Sequence, residues 1–246
     1  KNIEYFKNLF AMNTFGSGEA REQLIELAAR LKGLNVQKEE KQDFFNLARE
    51  QMIVQVERAP SDARYELYLG SFLGGIGSYD EAIKYLLKAY ELSPKKQQIM
   101  FELGAAYINK GEPEKGLQYF KEAYEEAPDY PDAVLSYASG LIYAGKDKEA
   151  ETLLVSAYGT AIVPEERIAM AYNYRRMYGK VIAVREKQLE SDPGNGQIEL
   201  SLADAYLRVG RRNDAIVLLK KIIEQNPSFK EQGDYFIKEI EAGRNP

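Results

Sequence analysis

Acid–base chemistry in this chain can rest only on carboxylates, lysines and tyrosines, because its 246 residues include no histidine and no cysteine. The first absence removes the commonest general base near neutral pH and the commonest zinc ligand. The second removes disulfides, thiolate metal sites and cysteine nucleophiles. A Ser-His-Asp triad is equally impossible. Carboxylate neighbours do occur, as at Glu165 and Glu166 or Glu239 and Glu241. On helices such neighbours normally form a solvated face. No pair has a spacing that would fix two carboxyl groups about 5 to 10 Å apart in a pocket, as glycoside chemistry needs. The glycine-rich stretches "GSGE" (16–19) and "GGIG" (74–77) lack the spacing and the lysine of a phosphate-binding loop. The first reads as a turn with Ser17 as N-cap and Glu19 in the first helical turn. The second reads as the frayed end of a helix. The 18 tyrosines invite a carbohydrate-stacking role. We expect no catalytic residue, no metal and no cofactor in this chain.

With 33 basic against 38 acidic side chains, net charge is −5, and no Lys/Arg cluster dominates any segment. A nucleic-acid partner is therefore not expected. No apolar run approaches the roughly 20 residues of a membrane span. If chemistry is unpromising, binding depends on which side chains the elements bring to one surface.

Three phrases define those elements: "ELYLGSFLGGIGSYDEAIKYLLKAYELSP" (66–94), "FELGAAYINKGEPEKGLQYFKEAYEEAP" (101–128) and "LSLADAYLRVGRRNDAIVLLKKIIEQNP" (200–227). Gly70 and Gly104 lie 34 residues apart, as do Gly77, Gly111 and Gly145, and the pairs Pro94/Pro128 and Pro193/Pro227. That period is the signature of the tetratricopeptide repeat (TPR), a helix-turn-helix unit, which this stretch resembles. Small residues at Gly70, Gly104, Ala138, Ala169 and Ala203 let helix B approach helix A. Leu73, Tyr107, Leu141, Tyr172 and Tyr206 follow on the same face one turn later. Gly77, Gly111, Gly145 and Gly210 stand where helix A must stop in a left-handed conformation. In the fourth unit Arg176 takes that place, Gly179 being a coincidence of spacing, and Arg185 and Gln188 replace apolar helix-B positions.

The expected fold is all-α: a right-handed superhelical solenoid of antiparallel helix pairs. Five TPR units over 61–227 begin near Ala63, Gln97, Pro131, Ile162 and Gly196, and a capping helix follows at 228–246. Residues 1–60 form a half-repeat and an atypical helical pair. Its helices run over 17–32 and 38–58, joined by a loop around Gly33–Gln37, the whole making one continuous domain. The opening "YFKNLFAMNTF" (5–15) aligns with "YFKEAYEEAPDY" (119–130), placing Phe6 on Phe120, Leu9 on Ala123 and Thr14 on Pro128. Residues 1–13 thus read as a helix B without its helix A. With Lys1 in place of a starting Met, the chain is expected to be cut from something longer.

In stacked helical pairs the A helices line a concave groove that serves partners. The repeat phase assigns to it Arg64, Leu67, Gln98, Phe101, Asn109, Asp132, Ser139, Tyr143, Glu166, Asn173, Tyr174, Asp204 and Arg208. Tyr107, Tyr172 and Tyr206 are assigned to the core. The groove reads as mixed polar and aromatic, suited to a protein or peptide segment, a glycan, or self-association. Chaperone-type TPRs grip a peptide carboxylate with a Lys/Asn/Arg clamp. Leu67, Phe101 and Leu135 occupy those positions here, so that role is not carried over.

The phrase "IEYFKNLFAMNTFGSGEAREQLIELA" (3–28) is similar to the junction that follows the membrane part of bacterial O-antigen ligase/polymerase-type proteins. "ARYELYLGSFL" (63–73), "ELSPKKQQIMFELGAAYINKGE" (91–112) and "FKEQGDYFIKEIEAGRNP" (229–246) resemble the body and tail of their C-terminal TPR arrays. The resemblance implies a parent membrane glycosyltransferase whose catalytic residues lie outside this chain. The present residues would then be its scaffold domain, tethered to a bacterial inner membrane through a missing N-terminal region. A free-standing adaptor that binds a partner's peptide segment is the alternative, and an enzyme on a helical repeat is a third reading.

Overall fold

The computed structural model describes residues 2–12 and 16–244; Lys1, Thr14 and the rest of 13–15, and the last two positions of the tail phrase lie outside them. Every regular element among the described residues is helical. The chain divides into two compact units, residues 1–127 and 128–246. Unit 1 holds α1 (Asn2–Ala11), α2 (Ser17–Leu31), α3 (Lys38–Arg58), α4 (Ala63–Gly75), α5 (Tyr79–Leu92), α6 (Gln97–Lys110) and α7 (Pro113–Glu126). Unit 2 holds α8 (Pro131–Tyr143), α9 (Asp147–Tyr158), α10 (Glu166–Tyr174), α11 (Tyr178–Ser191), α12 (Gly196–Arg208), α13 (Arg212–Gln225), a 3-10 turn at Pro227–Phe229 and α14 (Lys230–Glu241). No described helix is long and apolar enough to cross a membrane.

Within each unit consecutive helices pack as pairs, α2 with α3, α4 with α5 and α6 with α7, then α8 with α9, α10 with α11 and α12 with α13. The small residues explain the close approach. A Cβ on Gly104 would sit 2.3 Å from the Phe120 ring, and one on Gly70 would sit 2.6 Å from Leu86 Cγ. Neither distance is compatible with a side chain unless the neighbour moves. In unit 1 these contacts seal a core that runs through Leu24, Phe44, Met52, Leu69, Leu73, Leu86, Ile99 and Leu103. Tyr172 is fully buried and Tyr206 nearly so, whereas Tyr107 is half-buried and stacks on Tyr119 with ring centroids 5.7 Å apart.

Five turns close helix A by one device. The N–H two or three positions beyond the helix end donates back across the last turn, from Ser78 to Leu73, Glu112 to Tyr107, Lys146 to Leu141, Met177 to Tyr172 and Arg211 to Tyr206, at 2.8–2.9 Å. This Schellman arrangement needs a left-handed residue just before the donor. Gly77, Gly111, Gly145 and Gly210 supply it with φ between +75° and +90°, and Arg176 supplies it at φ +55°. The fourth unit therefore keeps the turn although it has lost the glycine. Gly179 lies inside α11, in agreement with the phase set by the other units.

Several local expectations are corrected. Ser17 is the first residue of α2, not its cap; Gly16 holds the cap position. Gly74 and Gly75 lie within the last turn of α4, and the chain leaves the helix at Ile76. The fourth unit begins its helix at Glu166, not near Ile162. Residues 160–165 form a loop, in which Val163, preceding Pro164, is pushed to extended backbone.

Candidate functional site

Three A-side helices of unit 1, α2, α4 and α6, frame a cavity of about 380 Å³. Its floor is apolar: Ile25 from α2, with Tyr68 and Phe72 from α4. Its rim is acidic, with Glu22, Glu26 and Glu102 against Lys32. The periodicity of α4 explains the floor. Tyr68, Ser71, Phe72 and Gly75 fall at spacings of three, four and seven, one face of a helix. Because the last of these has no side chain, the cavity stays open at that end. Tyr68 is an exposed aromatic at 39%.

Glu102 is the chemically distinctive member. Burial pushes its carboxyl pKa up, and a hydrogen bond from the Ser71 hydroxyl offsets only part of that. No ion pair among the described residues neutralises it. A carboxylate in an apolar wall is costly alone and is stabilised by a cation brought to it.

The structure separates the residues assigned to the groove. In unit 1, Gln98 lines the cavity. Arg64 is exposed and forks onto its own N-capping residue, Asp62, at 2.7 Å. Asn109 is exposed and Phe101 half-buried, both away from the cavity lining. Leu67 is only 1% exposed and belongs to the core, which corrects its assignment. In unit 2, Ser139 is buried as well, its hydroxyl donating to the Ser136 carbonyl at 2.8 Å. The charged positions there are satisfied internally. Asp132 pairs with Arg167 at 2.6 Å, Glu166 accepts from Arg185 Nη1 and Nη2, and Asp204 accepts from Arg208 at 3.2 Å. Tyr143 and Tyr174 come together edge-on, with ring centroids 5.1 Å apart. Burial, and then the neighbouring Tyr174, raise the Tyr143 pKa, while Tyr174 is 53% exposed beside the exposed Asn173.

Sequence reasoning missed Glu22, Tyr68, Ser71 and Glu102. The signal lay in the helix phase. Arg64, four residues before Tyr68, lies on the open face, but choosing Leu67 in place of Tyr68 rotates the expected face by one residue, about 100°. Neither of the paired carboxylates at 165/166 or 239/241 forms an acid–base pair, since Glu166 is held by Arg185 and Glu239 by Arg244 at 2.7 Å. No group of three or more metal-ligating side chains occurs among the described residues.

Residues 73–131, which run from α4 to the start of α8, match the tetratricopeptide repeat family model. The chain folds as an array of tetratricopeptide repeats. Solved structures agree on the architecture. A tetratricopeptide repeat protein from Parabacteroides merdae superposes with a TM-score of 0.56 at 19% identity, over 83% of this chain and 79% of that one. Yeast Tom70 superposes with a TM-score of 0.54 at 17% identity, over 91% of this chain and 47% of Tom70. At such identities the likeness concerns the TPR fold. No curated protein matches the chain.

Proposed function

We propose that this TPR array is a non-catalytic interaction scaffold that holds an extended peptide segment on the A-helix face of unit 1. A large apolar side chain of the partner covers Tyr68 and Phe72, and a neighbouring Lys or Arg reaches Glu102. The supporting observation is the cavity between α2, α4 and α6, apolar in its floor and carrying in its wall a partly buried carboxylate that no described residue ion-pairs. Ligand sites generally combine an apolar body with a few placed polar groups. Gln98 adds an amide at the rim. Arg64, Phe101 and Asn109 would serve as outlying contacts. In unit 2 the Tyr143–Tyr174 pair, with Asn173, Arg208 and Asp204 nearby in the repeat phase, offers a separate aromatic surface for a second segment. There Asp132, Ser139 and Glu166 would support the helices rather than touch a partner.

Selection from a random peptide library on the full chain tests the reading. Enriched sequences should carry a basic residue next to a large apolar one, and Glu102→Gln should weaken their binding about tenfold, the loss of one partly buried charge pair. The raised pKa of Glu102 sets the pH dependence. Only its ionised form attracts a cation, so affinity rises with pH through a value above the usual 4.5 and falls as the solution is acidified through it. Affinity flat from about pH 4 to 8, or unchanged in Glu102→Gln, would remove the carboxylate from the site. Selection of glycans or of the chain itself in preference to peptides would replace the reading.

The finer context we propose is the C-terminal array of an O-antigen ligase-type membrane glycosyltransferase. It is supported by the resemblance of residues 3–28 and 229–246 to such proteins. A free-standing adaptor accounts for the cavity equally well. Reading the coding region upstream of Lys1 separates them: successive apolar stretches of about 20 residues support the membrane parent, and further helical hairpins support the adaptor.

A further inference from the structure

Arg21, in the second turn of α2, is 3% exposed between α1 and α3. Its Nε donates to Oε1 of Gln51 at 3.3 Å and its Nη1 to Oε1 of Gln55 at 3.1 Å. The guanidinium carbon lies 5.4 Å from the centroid of the Phe10 ring. These are neutral partners. No carboxylate pairs with Arg21 among the described residues, and its Nη2 donates to none of them. Buried charges are ordinarily paired, and the chain itself supplies the contrast: Arg185, buried to a similar degree, receives Glu166. Burial, and then the charge of Arg58, lower the pKa of Arg21, although an arginine stays charged near neutral pH.

A cavity of about 440 Å³ lies against this residue. Lys7, Arg21 and Arg58 line it together, no acidic side chain among the described residues does, and Phe10, Leu47 and Val54 form apolar walls. Lys7 is partly neutralised by Glu4 at 2.9 Å on its own helix. Three cationic side chains thus share one space with hydrocarbon. This cavity is formed by α1, α2 and α3 and has no residue in common with the one lined by Tyr68 and Glu102.

We propose that the α1–α2–α3 cavity is an anion site that takes a carboxylate on a short apolar body, with Arg21 as its principal ligand and Lys7 and Arg58 at its rim. The planar guanidinium suits a carboxylate, which can accept two parallel N–H bonds. Phe10, Leu47 and Val54 favour an alkyl or aryl carboxylate over a free inorganic anion, because hydrocarbon walls desolvate without reward around a group that has no apolar part.

The test is a titration of the full chain, at constant ionic strength, with butyrate, acetate and inorganic phosphate, followed by thermal unfolding. A ligand that binds only the folded state raises Tm in a saturable way. Butyrate should saturate on the order of tenfold below acetate, as two extra buried methylene groups imply. Arg21→Met, which keeps a flexible unbranched side chain and removes the charge, should retain the helical circular dichroism and lose the response. Should Arg21→Met fail to fold, Arg58→Gln decides, and it should raise the half-saturating concentration several-fold. No saturable response to any of the anions, or a response undiminished in these variants, overturns the site. Saturation by phosphate with none by butyrate overturns the carboxylate assignment.

Discussion

Glu166 and Tyr172 lie six residues apart around α10, and they answer pH in opposite directions. The Glu166 pKa is lowered, first by the hydrogen bond from Arg185 and then, against the effect of burial, by that residue's charge. A depressed carboxyl contributes stability that is present above its unfolded value, near 4.5, and is lost as pH falls through the folded one. We expect Glu166→Gln to cost about 1 kcal/mol at pH 7, less than for a fully buried pair because Glu166 is half open to water. The difference from wild type should shrink below about pH 4.5 in urea unfolding. Tyr172 is fully buried, and its hydroxyl has no hydrogen-bond partner among the described residues. Burial, followed by the carboxylates of Glu151 and Asp147, pushes its pKa up to about 12. The fold thus favours the neutral phenol, so this contribution to stability is complete below pH 10 and declines as pH rises toward 12. Tyr172→Phe should be neutral or stabilising by up to about 1 kcal/mol at pH 7, since an unsatisfied buried hydroxyl is removed. Its advantage should widen above about pH 10, again read by urea unfolding.

The turn after α10 shows how an element tolerates a changed residue. Arg176 adopts φ +55° and still closes the same turn that four glycines close elsewhere. A side chain in that region is strained, whereas glycine is not. Arg176→Gly should therefore stabilise the chain by about 0.5–1 kcal/mol, measured as a higher urea midpoint at unchanged slope. The turns are legible in the amino-acid sequence because glycine and proline mark them at a period of 34. The helix pairs follow from that phase, and so does the exclusion of Gly179 from the turn positions. The start of α10 is not legible in the same way. Three residues are missing between Tyr158 and Pro164 relative to the other units, and periodicity does not say on which side of a deletion the helix resumes. The binding face escapes the sequence for a related reason. One residue of phase rotates a helix by about 100°, which exchanges the core residue Leu67 for the open position Tyr68. Arg21 gives no signal at all: a lone arginine on a helix ordinarily reads as solvated, and only the packing of α1 and α3 around it shows otherwise.

The two compact units carry different kinds of surface. Two of the cavities in unit 1 are of opposite character, one rimmed by glutamates and the other by cations. Unit 2 has neutralised most of its charged A-helix positions by internal pairs and carries an aromatic pair of which Tyr174 is exposed. TPR architecture accounts for the helix pairs, while partner choice depends on which side chains each face leaves without a partner of its own. We therefore place recognition in unit 1, at the cavity between α2, α4 and α6. Backbone amide chemical shifts of the full chain, titrated with a selected apolar-basic peptide, decide the matter. The largest changes are expected on Tyr68, Ser71, Gly75, Gln98 and Glu102, and they should vanish in Glu102→Gln. Changes confined to unit 2, or spread evenly over both units, would place recognition elsewhere.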